Sequence, residues 1–367
     1  MQVTRLEYEG FRNLQDGVFE PCAGVNVITG ENAQGKTNLL EAVWLFTGAK
    51  SFRQSKDKEL VAFGSEQSRL RMEFSAGGRQ QCAQIDIHGR RRATLNDIPQ
   101  SSAAKLAGVF CGVVFSPAHL SLIKGGPQER RRLMDAAYCQ LRPTYVKTLS
   151  DYSHVLAQRN ALCKAGSCGA GADELFDLWD KQLAQIGCLI IHARQLYLKR
   201  LTPEARRIYH GLSGGREEVD LQYVSTVPLT AGQTAAEIAA ALYAELKAHR
   251  AADLAAGFTT VGPHRDDLDV RIDSHAARQF GSQGQQRSAV LAIKLAEATL
   301  LQEVTGERPI ALLDDVMSEL DLTRQDYILN HIQDWQVFIT CCDSTAIFQL
   351  VNGREFHMKN GVLTEKN

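Results

Sequence analysis

The sequence predicts an α/β domain interrupted by a mostly helical insert. Three observations carry this. A short apolar strand, residues 25–29, runs through a glycine-rich loop into a helical stretch at 37–46. A second apolar strand, residues 309–315, ends in two adjacent carboxylates, Asp314 and Asp315. Between the two, from Pro117 to about residue 256, the texture is helical rather than alternating.

Each element has its own signature. Residues 37–46 place Leu39, Leu40, Val43, Trp44 and Phe46 at helical spacing. Residues 69–74 and 83–88 alternate apolar and polar side chains around a turn at Gly77-Gly78, the pattern of two joined strands. Residues 109–115 are a continuous apolar run, consistent with a buried strand. Pro127 opens a helix, because the first helical turn has no partner for the N–H that proline lacks. Pro143 opens another, and residues 174–201 and 234–256 supply a third and a fourth. A Gly/Ala/Ser/Cys loop between Ala165 and Ala172 connects helix to helix. Strand character returns at 267–273, 309–315 and 337–340. The α/β domain is therefore expected over 1–120 and 262–367, and the helical lobe over 121–261.

Composition limits the function classes. The 367 residues are 44% hydrophobic and 23% charged, an ordinary globular balance with ample material for a core. The formal charge is −1, from 41 basic and 42 acidic residues, so bulk positive charge cannot drive nucleic-acid binding; only local patches can. Nine cysteines include no Cys-x-x-Cys pair; Cys163 and Cys168 are five apart, and Cys341 and Cys342 are adjacent. This fits reduced thiols in a cytoplasmic protein better than a zinc site or a disulfide framework. The first residues, "MQVTRLEYEG", form no apolar signal segment, and no run approaches the ~20 apolar residues of a membrane helix.

The chemistry concentrates in two places. "GENAQGKT" comprises Gly30, Glu31, Asn32, Ala33, Gln34, Gly35, Lys36 and Thr37 and matches the phosphate-loop pattern G-x-x-x-x-G-K-[ST]. Glycines let backbone N–H groups turn inward on phosphate oxygens, Lys36 brings positive charge to the β/γ-phosphates, and Thr37 offers a hydroxyl to Mg²⁺. A bare glycine turn before a helix is the simpler reading. About one unrelated chain in a hundred would carry the motif by chance, and the flanking strand and helix favour nucleotide binding. At the second place, Asp314 is the residue expected to hold Mg²⁺, and Asp315 can then polarise the attacking water. A buried strand exiting into solvent would also end in charges, but the upstream phosphate loop favours the functional reading. Lys36 and Asp314 lie nearly 280 residues apart, so a large insert stands between them.

Six segments together, in this order, resemble ABC-type ATPases of the chromosome-maintenance and DNA-repair branch, and within it the RecF family of bacterial recombination and repair proteins. They are "FRN" (11–13), "GENAQGKTNLLEA" (30–42), "GGPQERRRLMD" (125–135), "GPHRDD" (262–267), "GSQGQQR" (281–287) and "LLDDVMSELD" (312–321). The resemblance implies an ABC-type P-loop ATPase head split by a helical lobe, with ATP and Mg²⁺ as cofactors. It makes Lys36 and Asp315 catalytic, and Thr37 and Asp314 the metal ligands. It assigns Ser282, Gly284 and Gln285 to a signature motif that caps ATP held by a second copy of the chain. Asp321 falls in the loop crossing that interface, Arg12 and Asn13 where related heads contact nucleotide, and Arg53 where an arginine senses nucleotide or DNA. Ser282 and Gly284 also precede a helix with Val290, Leu291, Ile293, Leu295 and Ala298 on its apolar face, and a helix start with free N–H groups suits an anion. The bland reading is a serine N-cap.

The resemblance further implies ATP-driven homodimerisation and slow hydrolysis. It implies binding to gapped DNA or single-strand/double-strand junctions, RecR and RecO as partners, and loading of RecA on gaps coated by single-strand binding protein. Three departures stand out. Asp315 occupies a position that is Glu in most of the class, one methylene longer. No switch histidine follows "VFIT", and Thr340 takes its place. "FSPAHL" (115–120) stands where the metal-sensing glutamine loop belongs but holds no Gln. The runs Arg90-Arg91-Arg92 and Arg130-Arg131-Arg132, and the pairs Lys199-Arg200 and Arg206-Arg207, are solvated faces by default, some of them raised to a DNA path by the resemblance. An ATP-hydrolysing subunit of a membrane transporter is the alternative. It shares the phosphate loop and acidic strand, but normally carries Ser-Gly-Gly where this chain has Ser282-Gln283-Gly284 and lacks so large an insert.

Overall fold

The computed structural model describes residues 1–120, 122–166, 170–230, 232–342 and 353–366. Along the chain run β1 (Gln2–Glu9), β2 (Gly17–Phe19), β3 (Val25–Thr29), α1 (Lys36–Leu45), β4 (Ser68–Ala76), β5 (Arg79–His88), β6 (Arg90–Leu95), β7 (Ile98–Gln100), β8 (Gly112–Phe115) and α2 (Pro117–Leu120). Next come α3 (Pro127–Leu141), α4 (Tyr145–Ala165), α5 (Ala170–Leu212), β9 (Val219–Val224), α6 (Ala235–Ala248), α7 (Arg250–Ala256), β10 (Asp267–Ile272), β11 (His275–Ala276) and α8 (Ala277–Phe280). The last are α9 (Gln283–Thr305), β12 (Ile310–Asp314), α10 (Leu322–His331), β13 (Val337–Cys341), β14 (Gly353–Lys359) and β15 (Val362–Lys366).

Two compact units result: Met1–Ser121 with Glu204–Glu218 and Gln283–Asn367, and Leu122–Pro203 with Val219–Ser282. The first holds two six-stranded sheets. One, ordered β2-β1-β4-β5-β6-β7, is antiparallel throughout. The other is ordered β15-β14-β3-β13-β12-β8, parallel from β14 to β8 with β15 antiparallel at one edge. β8, β12 and β13 are buried at every position, as the strands of a covered parallel sheet must be. One apolar cluster joins α1 (Leu39, Leu40, Val43) to Leu6, Leu70 and Phe74 of the antiparallel sheet and Ile28 and Phe338 of the parallel one.

The second unit contains α3, α4, α6 and α7, the three-stranded sheet β11-β10-β9, and α5 as far as Pro203. It departs from the expected lobe in two ways. Residues 262–282, expected in the head, fall in the helical unit because β10 pairs along its length with β9, Asp267 opposite Val224 through Ile272 opposite Val219. Glu204–Glu218, expected in the lobe, belongs to the first unit, where Tyr209 Oη donates to Glu217 at 2.8 Å and Gly211 lies against Tyr327.

Other corrections are local. The stretch 109–115 is strand only from Gly112; before it the chain turns, Val109 N–H donating to Leu106 O at 3.0 Å. The single helix expected over 234–256 is two, broken at His249, whose φ of −92° and ψ of 1° leave the helical region. Arg90-Arg91-Arg92 follows β5 across Gly89 and itself opens β6. The predicted connection within Ala165–Ala172 lies partly outside the described residues, as does Cys168. The eight described cysteines are free thiols. Among the described residues no helix is long and apolar enough to cross a membrane.

Candidate active site

The strand order β3-β13-β12 decides where the site forms. The phosphate loop leaves the carboxyl end of β3, the two aspartates leave that of β12, and Thr340 stands near that of β13 between them, paired with both Ile28 and Asp314. The carboxyl ends of parallel strands are where open α/β sheets place ligands.

The loop is bent by residues with left-handed backbone. Gly30 has φ +147°, and a Cβ there would sit 2.3 Å from Met358 O. No side chain caps the N-terminus of α1, which leaves its first N–H groups to an anion. Lys36 is 6% exposed, and its ammonium donates to Gly30 O at 2.5 Å and Glu31 O at 2.8 Å, with Cys342 Sγ at 3.9 Å. Among the described residues no carboxylate pairs with it. A buried cation held only by neutral groups is matched to an incoming anion.

The loop is also braced from outside. Asn13 Nδ2 donates to Ala33 O at 3.0 Å, Asn360 N–H to Gln34 Oε1 at 2.5 Å and Gly361 N–H to Gln34 O at 3.0 Å. The brace at 360–361 is the β14–β15 turn, and a Cβ on Gly361 would lie 2.1 Å from Asn13 O. Sequence reading missed this turn. Its signal was "NG": Asn360 and Gly361 both have positive φ, 51° and 78°, as a type I′ hairpin requires.

Asp314 is 5% exposed, and its Oδ1 accepts from Thr37 Oγ1 at 2.7 Å and Thr340 Oγ1 at 2.9 Å. Burial raises its pKa above the ordinary aspartate value; the Thr37 and Thr340 hydroxyls oppose the rise and neighbouring Asp315 adds to it. Asp315 has φ +52°, uncommon for a non-glycine residue, and its N–H donates to Thr340 Oγ1 at 2.9 Å and Thr340 O at 3.2 Å. Thr37 and Asp314 present adjacent hard oxygens, the donor type Mg²⁺ takes. Among the described residues no group of three or more His, Cys, Asp or Glu could cage a metal. A metal here would need further oxygens, such as those of a nucleotide phosphate, so the pair fits Mg²⁺ bound together with nucleotide.

The remaining predicted residues are placed as follows. The Arg12 guanidinium is committed to Glu41, whose Oε1 and Oε2 accept at 3.1 and 2.9 Å, and to Ser55 Oγ at 2.7 Å. Glu41 is fully buried and also accepts from Ser51 Oγ. Arg12 thus fixes the rim of the loop through Glu41 of α1. Asn13 Oδ1 accepts from Asn38, and Asn38 Oδ1 accepts from exposed Arg53 at 2.7 Å. Ser282 closes the second unit, and α9 begins at Gln283. Gln285 donates to Glu217 at 2.9 Å, Arg287 to Glu319 Oε2 at 2.5 Å, and Asp321 caps α10 by accepting from Arg324 N–H at 3.0 Å. Arg324 pairs with Asp321 and donates to Ser288 Oγ at 2.8 Å, with Gly284 against its Nη2. The start of α9 and the "SELD" segment therefore form one patch, whose partners named here are not phosphate-loop residues.

Two basic clusters are partly structural. Arg130 is buried and bidentate to Asp267, with Nη1 on the carbonyls of Leu122, Ile123 and Gly125. Arg91 pairs with Asp57 and donates to Ala49 O at 2.7 Å. "GPHRDD" braces the helical unit: Asp266 accepts from Tyr223 and from Thr226 N–H and Oγ1, and Arg194 donates to Pro263 O at 2.6 Å. In "FSPAHL", Ser116 Oγ and His119 Nδ1 lie 3.1 Å apart.

Comparison with known proteins agrees with this geometry. The RecF/RecN/SMC N terminal domain family matches residues 2–362. The "DNA replication and repair protein RecF" of Acetivibrio thermocellus is 36% identical across 97% of this chain and 96% of its own length. That of Desulforamulus reducens is 38% identical across 100% and 99%. Among solved structures, the recombination mediator protein RecF-ATP in the RecFOR pathway superposes with TM-score 0.92 at 35% identity, covering 100% of this chain and 98% of that one. An SmcHead bound to the C-winged helix domain of ScpA shares the fold at TM-score 0.56 and 15% identity. With an ABC-type ATPase fold, a phosphate loop facing an aspartate pair, and relatives alike over nearly their whole length, the chain belongs to the RecF family of DNA replication and repair proteins.

Proposed function

We propose that the chain is an ATP-dependent, DNA-binding recombination mediator that acts in single-strand gap repair and hydrolyses ATP slowly. The observation that carries this is the convergence of Lys36, Thr37, Asp314 and Asp315 beyond the carboxyl ends of β3 and β12, the two strands that flank β13. Lys36 leaves its carbonyl partners for the β/γ-phosphates, and Thr37 and Asp314 hold Mg²⁺. When bound, Mg²⁺ offsets phosphate charge. Asp315, freer of solvent restriction than Asp314, orients the attacking water. Its side chain is one methylene shorter than the Glu common in the class, which supports slow turnover.

The α9 start and Asp321 serve a second copy. Ser282, Gly284 and Gln285 cap ATP held by that copy, and ATP closes the pair. Closure aligns local basic patches that one near-neutral chain cannot supply through its overall field. Arg53, exposed beside the site, is suited to report nucleotide state. The RecFOR pathway to which relatives' structures are assigned supports RecR and RecO as partners; RecA loading on gaps is the outcome this reading expects.

The test is to measure particle size with and without ATP, then add gapped and blunt duplex DNA. Dimerisation and DNA binding should both require ATP, binding should prefer the gapped substrate, and it should weaken steeply with salt with little dependence on sequence. Equal DNA binding with and without nucleotide overturns the proposal.

A further inference from the structure

We propose that Thr340 is a positioning residue that sets both site carboxylates through one hydroxyl. This rests on the reading of Asp314 as metal ligand and Asp315 as the residue that orients water. Thr340 is fully buried at the centre of the parallel sheet, where its predecessors Phe338 and Ile339 are apolar. Valine has the same shape and suits such a strand at least as well, without a polar atom to satisfy. The hydroxyl instead makes two bonds. Its single proton goes to Asp314 Oδ1 at 2.9 Å, and its oxygen accepts from Asp315 N–H at 2.9 Å.

Each bond fixes a different variable. The first, with that of Thr37 at 2.7 Å, fixes the carboxylate of Asp314 through its Oδ1. The second helps hold the backbone of Asp315 at φ +52°, a left-handed conformation uncommon for a non-glycine residue. Thr340 O accepts from the same N–H at 3.2 Å, but a carbonyl alone cannot bridge to Asp314. Two residues on, Cys342 Sγ lies 3.9 Å from Lys36 Nζ, so the end of β13 reaches the ammonium as well as the carboxylates. Thr340 is fully buried and acts through Asp314 and Asp315.

The experiment compares Thr340→Val, Thr340→Ser and the unmodified chain, with Lys36→Met as reference. It reads kcat and KM for ATP, affinity for a fluorescent ATP analogue with Mg²⁺ and with EDTA, and the thermal midpoint. Thr340→Val should keep nucleotide affinity in EDTA within about threefold while kcat falls about tenfold or more, and Thr340→Ser should recover most of the lost kcat. The advantage of Mg²⁺ over EDTA in analogue affinity should shrink in the valine variant and return in the serine one. If Thr340→Val keeps kcat within about twofold, the inference is overturned. It is also overturned if Thr340→Ser is as impaired as Thr340→Val, because retention of the hydroxyl is the claim. Should the valine variant fail to fold, Thr340→Ala replaces it under the same criteria. Failure of the underlying reading looks different: hydrolysis by the unmodified chain is then absent, or survives Lys36→Met.

Discussion

Lys36 and the aspartate pair divide the work at the site, and substitution separates them. Replacing Lys36 with Met removes the buried ammonium opposite the phosphates. ATP affinity should drop about 10–100-fold, because a hydrogen bond to a charged group is worth ~1.5–3 kcal/mol, and titration with a fluorescent ATP analogue checks this. Replacing Asp315 with Asn leaves Asp314, Thr37 and Thr340 in place. Nucleotide and Mg²⁺ binding should persist while hydrolysis falls about 10²-fold, read by single-turnover phosphate release. Normal hydrolysis would remove Asp315 from its role. The principal residues here were legible because a phosphate loop and an acidic strand end are short, local patterns. Thr340 stood in the sequence only as an occupant of the switch-histidine position. Its bonds to Asp314 and Asp315 come from strand order, which no local pattern encodes. Arg12 was legible as a position but not as a contact, since its partner Glu41 lies 29 residues on, beyond β2, β3 and the phosphate loop.

Elements that alternate cleanly or run unbroken in apolar residues announced themselves, and charged or short ones did not. β6 opens with three arginines, whose polarity hides the alternation that Ala93 and Leu95 continue. β9 follows the charged run Arg216-Glu217-Glu218 and β11 is two residues long, and missing them moved "GPHRDD" into the wrong unit, since β10 is held in the helical unit by β9. Within that segment His264 lies against Tyr152 Oη at 2.8 Å and Thr259 O at 3.1 Å. Burial pushes its pKa down to about 4, with Arg265 and Arg131 adding to the fall. A depressed base favours the fold while neutral. Its contribution is therefore complete above the ordinary histidine pKa of ~6.5 and is lost as pH falls towards about 4. Up to ~3 kcal/mol of stability rides on this window. Urea denaturation between those pH values should show the helical unit weakening on acidification. His264→Asn should flatten that slope, and an unchanged slope would show that other groups set it.

The whole molecule is incomplete as a single copy if the start of α9 serves a partner's ATP. Lys36→Met should hold ATP too weakly to fill its site at limiting nucleotide, and Ser282→Arg should hold ATP but obstruct its partner. Each homodimer should be inactive. A mixed dimer contains one composite site with both lesions and one with neither, so mixing should restore hydrolysis, up to one working site per pair. Heterodimers detected by cross-linking that remain inactive, while Ser282→Arg homodimers close normally with ATP, would rule out action in trans. Another consequence concerns the order in which the chain is made. β3, which launches the phosphate loop, ends at Thr29, yet both of its sheet neighbours, β13 and β14, begin at Val337 and Gly353, far later along the chain. At ~5–20 residues per second, a ribosome needs roughly 15–60 s to travel from one to the other. Throughout that interval the emerging β3 has neither lateral partner, and the turn that braces Gln34 does not yet exist. The nucleotide site can therefore be completed only after β13 and β14 have been made, and a nascent chain stalled before β13 should not be retained on immobilised ATP.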